Sequence, residues 1–176
     1  MSELFSIQLQ NRQQQGRDGV WLDLPTTTEQ VQAALRQIGI SSDNPQGLFI
    51  SGYFAEEEKR FAISYNMVLA SNVDELNFLA SRLETLSTGE RAELNAALQA
   101  PQSELFSIGR ITDFPENVDY YVHLPDVHGP AQLGDYYLNR SGMVDMPEEW
   151  KGGIDTAQFG RYVAQREQGV FTEYGY

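Results

Sequence analysis

Residues 72–86 read NVDELNFLASRLETL, and this stretch decides the middle of the fold. Its apolar side chains recur every three or four residues, which places them along one face of an α-helix. Asn72 occupies the position of an N-cap, and Asp74 and Glu75 fall in the first turn, where the helix dipole favours acids. The sequence therefore predicts a helix that begins after Asn72 and carries an apolar stripe of Val73, Leu76, Leu79, Ala80, Leu83 and Leu86.

A second helix follows directly. Ser87 and Glu90 have the spacing of a capping box, Leu94, Ala97 and Leu98 are expected to face inward, and Pro101 ends the segment. The two helices predict an antiparallel helical pair, which forms a central helical unit over residues 63–102.

The segment before this unit has the period of a sheet. Alternating apolar residues in 5–9 and 20–24 predict two strands that pair as a hairpin, and 48–54 reads as a third strand. Between them, Thr28 is the expected N-cap of a helix that Gly39 ends. Residues 1–62 therefore predict a unit of β-sheet plus helix.

The segment after the central unit is aromatic and acidic, with ten acidic and three basic residues over 101–155. Alternation over 118–124 predicts a strand, 133–140 a helix, and Asp155 the cap of a helix that bears Phe159, Tyr162 and Val163. Gly169 is expected to close that helix before a short strand through Phe171. The fold class is therefore α+β, and residues 103–176 form an α+β C-terminal unit.

Composition limits the possible functions. The 176 residues carry 25 Asp and Glu against 12 Lys and Arg, a formal net charge of −13. Such a surface repels nucleic acid but suits a protein with a basic groove. The chain contains no cysteine and therefore no thiolate site, and no apolar run is long enough to span a membrane. We expect a cytoplasmic protein without a cofactor.

Catalytic motifs give little support for an enzyme, because no phosphate-binding glycine loop, HExxH or GxSxG sequence occurs. His123, Asp126 and His128 suggest a metal or acid–base cluster, but the neighbouring Pro125, Gly129 and Pro130 indicate an ordinary turn. We expect no metal site and no catalytic residue.

Two further clusters have a structural and a functional interpretation. Glu56, Glu57 and Glu58 precede Lys59 and Arg60, which indicates a solvated loop with partly compensated charge, although these acids could also belong to an acidic binding strip. Four tyrosines could stack bases, but packing in a core or interface is the better interpretation beside so many acids. These tyrosines are Tyr120, Tyr121, Tyr136 and Tyr137.

Several stretches stand in a characteristic order: the helical segments 72–84 and 90–98, then LGDYYL at 133–138, MPEE at 146–149 and GVFTEYGY at 169–176. With GVWLDLP at 19–25 and FISGY at 49–53, this order resembles the ArdA antirestriction proteins of conjugative plasmids and transposons. The resemblance implies an elongated, non-enzymatic homodimer of three small units, whose carboxylates imitate the phosphates of bent DNA. It also implies a target, the specificity and methyltransferase core of type I restriction-modification enzymes, and dimerisation through the C-terminal unit.

For a DNA mimic, the expected acidic surface consists of a helical group and a C-terminal strip. The helical group is Asp74, Glu75, Glu84, Glu90 and Glu93, and the strip is Asp113, Glu116, Asp119, Asp126, Asp135, Asp145, Glu148, Glu149 and Asp155. The expected dimer contact is made by aromatic and apolar residues, namely Phe106, Tyr120, Tyr121 and Val122.

The charge of this chain is dilute for such a role, because many glutamines stand where acids are expected. A dimer carries twice −13, or −26. At one charge per roughly 1.7 Å of duplex, this reproduces about 44 Å of DNA, or about a dozen base pairs.

Two other functions compete with mimicry. The chain could be an acidic anti-defence or adaptor protein that binds another nucleic-acid enzyme or regulator through its aromatic C-terminal unit, with charge serving solubility only. A small hydrolase centred on His123 and His128 is the third hypothesis. Charge reversal should dominate for a mimic, and truncation of Tyr or Phe for an adaptor.

Overall fold

A computed structural model describes residues 3–14, 18–41, 45–101, 103–117 and 121–176. Three antiparallel strands form its sheet in the order β2-β1-β3: β1 is Phe5–Asn11, β2 is Val20–Leu24 and β3 is Leu48–Phe54. The alternation in β1 points Phe5, Ile7 and Leu9 into the core. The predicted hairpin and third strand are confirmed.

Helix α1 is Thr28–Gln37, and its N-cap is Thr27 rather than the predicted Thr28. Thr27 accepts from the backbone N–H of Gln30, and the Gln30 side chain accepts from the Thr27 N–H. Both threonines can cap, and the glutamine three residues after Thr27 completes the capping box. Gly39, with φ of +71°, follows the end of the helix as expected.

Helices α2 (Tyr65–Leu69), α3 (Val73–Glu84) and α4 (Thr88–Gln99) follow the sheet. Asn72 caps α3 as predicted, by accepting from the Glu75 N–H at 2.9 Å, and the whole predicted stripe is buried. The stripe packs on α5 (Ile108–Thr112) in place of the predicted pairing with α4. The prediction missed this because α5 is too short to show a periodic pattern.

The chain divides into two compact units. The first comprises Met1–Arg91 with Glu104–Val118, and the second Ala92–Ser103 with Asp119–Tyr176. The first unit contains the sheet, α5 and α6 (Phe114–Asn117). The α+β class is confirmed by this mixture of sheet and helices, whereas the division into three units stays a prediction.

The second unit contains α7 (Pro130–Asp135), which continues as a π-helix over Tyr136–Arg140, α8 (Glu148–Lys151) and α9 (Thr156–Glu167). Helices α7 and α9 cross in close backbone contact at Gly134 and Gly160. Their core consists of Val127, Leu133 and Ala164. The predicted helical region from 133 to 140 and the cap at Asp155 are confirmed.

Three expectations for the second unit need correction or lie outside the described residues. Residues 118–120 are not described, and 121–124 form no strand, although Leu124 exchanges two backbone hydrogen bonds with Tyr176, at 2.8 and 3.1 Å. Helix α9 ends on Gln168 in the left-handed region, φ 56°, rather than on Gly169. The expected last strand is reduced to one bridge between Thr172 and Gly175.

Across the described ranges, none of the helices combines the length and apolar character that a membrane crossing requires.

Candidate acidic binding surface

The first turn of α3 presents two of the predicted acids. Asp74 and Glu75 are both exposed, and Glu75 also accepts from the side-chain amide of Asn72 at 3.3 Å. Their negative charges lie at the positive end of the helix dipole, where acids stabilise a helix. This turn therefore holds two solvent-facing carboxylates on a fixed backbone.

Helix α4 begins with the predicted capping box. The Glu90 carboxylate accepts from the Ser87 hydroxyl at 2.6 Å and from the Ser87 N–H at 2.8 Å. These two hydrogen bonds, the hydroxyl first, lower the pKa of Glu90, which keeps its charge at mildly acidic pH. Glu84 is exposed and Glu93 half-buried.

Five predicted acids of the C-terminal strip are exposed and have no ion pair among the described residues. Asp155 is the N-cap of α9 and accepts from the Gln158 N–H at 2.9 Å. Its carboxylate thus has a structural role in addition to its charge. The five exposed acids without an ion pair among the described residues are Asp113, Asp126, Asp145, Glu149 and Asp155.

The other described acids of the strip are joined to cations. Glu116 forms an ion pair with Arg82 on α3, Asp135 lies 3.4 Å from Arg140, and Glu148 lies 2.6 Å from Lys151. These pairs reduce the negative charge that a partner meets directly. Sequence reasoning missed the first pair because 34 residues separate its members.

The structure also divides the strip. Asp113 and Glu116 lie in the first unit, with α3, whereas Asp126 and the later acids lie in the second. Asp119 lies outside the described residues. The membership of each carboxylate in a binding surface stays a prediction.

Several arginines lie over aromatic rings. The guanidinium of Arg12 lies 5.3 Å from the ring centre of Phe49, and that of Arg91 lies 4.9 Å from Phe61. Arg140, already paired with Asp135, also lies 5.6 Å from the Tyr136 ring. Cation–π contact and pairing together restrain positive charge that would otherwise oppose a basic partner.

Several exposed acids lie outside the predicted helical group and C-terminal strip. Glu29 lies in the first turn of α1, where hydrogen bonds from its own backbone N–H and from the Thr27 hydroxyl lower its pKa. The capping box around Thr27 is the signal that points to it. Glu56, Glu57 and Glu58 line an open recess, and Lys59 pairs with Glu56 at 2.9 Å.

The predicted dimer residues are placed as follows. Phe106 is 69% exposed and lies in the first unit, with the Arg110 guanidinium 5.3 Å from its ring centre. In the second unit, Val122 is 78% exposed and Tyr121 half-buried, and Tyr120 lies outside the described residues. Their role in dimerisation stays a prediction.

The histidine segment is built as a turn. His123 Nε2 lies 2.8 Å from the carbonyl oxygen of Tyr174, and the His128 N–H donates to the Gln132 side chain at 2.7 Å. Where the chain is described, no three His, Asp or Glu side chains lie close enough to share a metal ion.

The tyrosines of the second unit have packing partners. Tyr136 and Tyr137 meet edge to face and lie against the α7–α9 core. The hydroxyls of Tyr137 and Tyr176 donate to the two oxygens of Glu167, at 2.5 and 2.9 Å. Desolvation, followed by the contact with Glu167, raises the pKa of Tyr137 to about 12 and also raises that of Tyr176.

Comparison with known proteins identifies a family. A family model described as "Antirestriction protein (ArdA)" matches residues 15–176, nearly the whole chain. Comparison with curated proteins gives no significant match.

Proposed function

We propose, because this chain belongs to the ArdA family of antirestriction proteins, that it inhibits type I restriction-modification enzymes by presenting carboxylates in place of DNA phosphates. The family acts against restriction-modification systems as an inhibitor, and this role requires a binding surface rather than a catalytic centre. The proposal places the protein in the cytoplasm, where restriction enzymes meet incoming DNA.

The observation that carries the proposal is the contrast between the two signs of charge. Carboxylates of both units stand in solvent, many on the first turns of helices, whereas many cations are paired or lie over aromatic rings. A basic groove would therefore meet mostly negative charge. Occupying that groove releases its bound counterions, as duplex DNA does.

A homodimer is part of the proposal. Two chains carry −26 together, which matches the charge of roughly 44 Å of duplex, whereas one chain matches only about half that length. The exposed apolar side chains of Phe106 and Val122 support a self-contact. Light scattering should give twice the mass of one chain, and truncating both Phe106 and Val122 to alanine should shift the measured mass toward that of a single chain.

The test of the mimic is removal of exposed charge without change of shape. In the variant Asp145→Asn with Glu149→Gln, two exposed carboxylates of the second unit become amides of the same size. Each exposed charge contact contributes about 0.2–1 kcal/mol, so inhibition of a purified type I enzyme should weaken by roughly twofold to thirtyfold.

The matched control changes the same formal charge in the same unit. Asp135→Asn with Glu148→Gln removes two carboxylates that already have cation partners. Of the two released cations, Arg140 still lies over the Tyr136 ring, and the Lys151 side chain is only 15% exposed. A mimic should lose less inhibition here. Equal losses would show that net charge alone matters, and unchanged inhibition by both variants would contradict the proposal.

The adaptor alternative makes the opposite prediction. If charge serves solubility only, neither pair of amide substitutions should weaken binding, whereas truncation of exposed aromatic residues should abolish it.

A further inference from the structure

The second unit exposes a tryptophan on a short helix that is rich in acids. Trp150 is 65% exposed, on the short helix α8, and its indole N–H has no hydrogen-bond partner among the described residues. A large apolar ring is costly to leave in water, and tryptophan is among the side chains most enriched at the centres of protein interfaces. The ring is therefore a candidate contact point.

The backbone that presents this ring is well fixed. The Trp150 N–H donates to the Pro147 carbonyl and its own carbonyl accepts from the Gly153 N–H, both at 3.0 Å. Lys151, whose side chain is only 15% exposed, pairs with Glu148 at 2.6 Å. Because the turn is already ordered, an anchor on it loses little conformational entropy on binding.

The charge around the ring indicates the kind of partner. Residues 143–155 contain four acids against one lysine, a net charge of −3, and all four acids are exposed. With Glu148 paired, Asp145, Glu149 and Asp155 remain without an ion-pair partner among the described residues, all within five positions of Trp150 along the chain. A second copy would bring the same negative charge against this patch, and nucleic acid would be repelled as well.

We propose that Trp150 is an anchor that enters an apolar pocket in the basic DNA-binding groove of the target restriction-modification enzyme, while the acids around it meet the cationic walls. The proposal rests on the proposed function and deepens it. The acids would then raise the association rate and make binding depend on salt, and the indole would lower the dissociation rate.

The test compares two exposed aromatic residues of the second unit that differ in their surroundings. Trp150→Ala removes the proposed anchor, and Tyr162→Ala is the control, because Tyr162 is 57% exposed but lies on α9 beside Arg161 and Arg166. Binding to a purified type I enzyme is measured at low and physiological salt. Trp150→Ala should bind at least about 30-fold more weakly with an unchanged salt slope, Trp150→Phe should recover part of this, and Tyr162→Ala should stay within about twofold.

Hydroxyl-radical footprinting of the wild-type chain gives an independent readout. Oxidation of Trp150 should be rapid in the free protein and suppressed in the complex. Equal salt-dependent binding by wild type and Trp150→Ala would overturn the anchor and leave the proposed function standing. Protection of Trp150 in the free protein would overturn it in favour of a self-interface. Failure of the wild type to bind the enzyme at all would overturn the proposed function itself.

Discussion

Substitution of Gly160 by alanine should destabilise the unit that carries Trp150 and the C-terminal acids. Helices α7 and α9 touch at this glycine. A Cβ there would overlap the carbonyl oxygen of Pro130 and would lie 2.7 Å from its carbon and 2.8 Å from the amide nitrogen of Gly134. The overlap with the oxygen is the deepest of the three, and ordinary contact distances are about 3.5–4.0 Å, so the backbones must separate by more than about 1 Å.

The cost follows from what that separation disturbs. A gap of about 1 Å already forfeits about half of each contact energy across the interface, and the obstructing atoms belong to the backbone, which cannot rotate away. We expect a loss at the upper end of the range for overpacking, about 3 kcal/mol. For a chain of 176 residues this corresponds to a fall in Tm of roughly 6–12 °C.

Thermal unfolding followed by circular dichroism measures the effect, with Gly152→Ala as the matched control. Gly152 has φ of −63° and no atom within 4 Å of an added Cβ. Its substitution should leave Tm unchanged or raise it slightly, because alanine restricts the unfolded chain. If Gly160→Ala had the same Tm as the wild type, the close crossing of α7 and α9 would be wrong.

Three further predictions concern titration, capping and charge. Tyr137, with its pKa raised to about 12 from 10.0, stabilises the fold in its protonated form, so stability should be complete below pH 10 and fall as pH rises through about 12. Glu167→Gln should lower that pKa only partly in an ultraviolet titration, because desolvation is the larger cause. Asp155→Ala should cost about 1 kcal/mol in chemical denaturation, whereas Asp155→Asn, which keeps an N-cap oxygen, should cost little; equal costs would argue against the cap. Arg161→Gln should strengthen inhibition more than Arg140→Gln, because the charge of Arg140 is already held by the Asp135 carboxylate and the Tyr136 ring. A larger gain from Arg140→Gln would contradict the idea that paired cations oppose a basic partner less.

Local signals explain what could be predicted from the sequence. Asn72, the pair Ser87 and Glu90, and Asp155 were identified as caps because a cap depends on residues only three positions away. The strands of the sheet could also be predicted, because alternation along a strand sets which side chains face the core. At the start of α1 the same capping signal predicts Thr28 as the N-cap, one residue after the observed cap, Thr27.

Contacts that are distant along the chain set the limit of prediction. The packing of α3 on α5 and the ion pair of Arg82 with Glu116 join segments whose sequences carry no mark of each other. The pairing of Glu148 with Lys151, by contrast, is a local contact between residues three positions apart, and this spacing could have indicated it. Gln168 takes a left-handed conformation next to a glycine that the usual preference would select.

We propose that this protein occupies the DNA-binding groove of a type I restriction-modification enzyme. The most direct test is a competition experiment, in which the protein displaces labelled duplex DNA from the purified enzyme at about 50 and about 200 mM salt. We expect displacement at both, with affinity at the higher salt lower by at least about tenfold, which corresponds to roughly two released counterions. Inhibition without displacement of DNA, or displacement that does not depend on salt, would contradict the account.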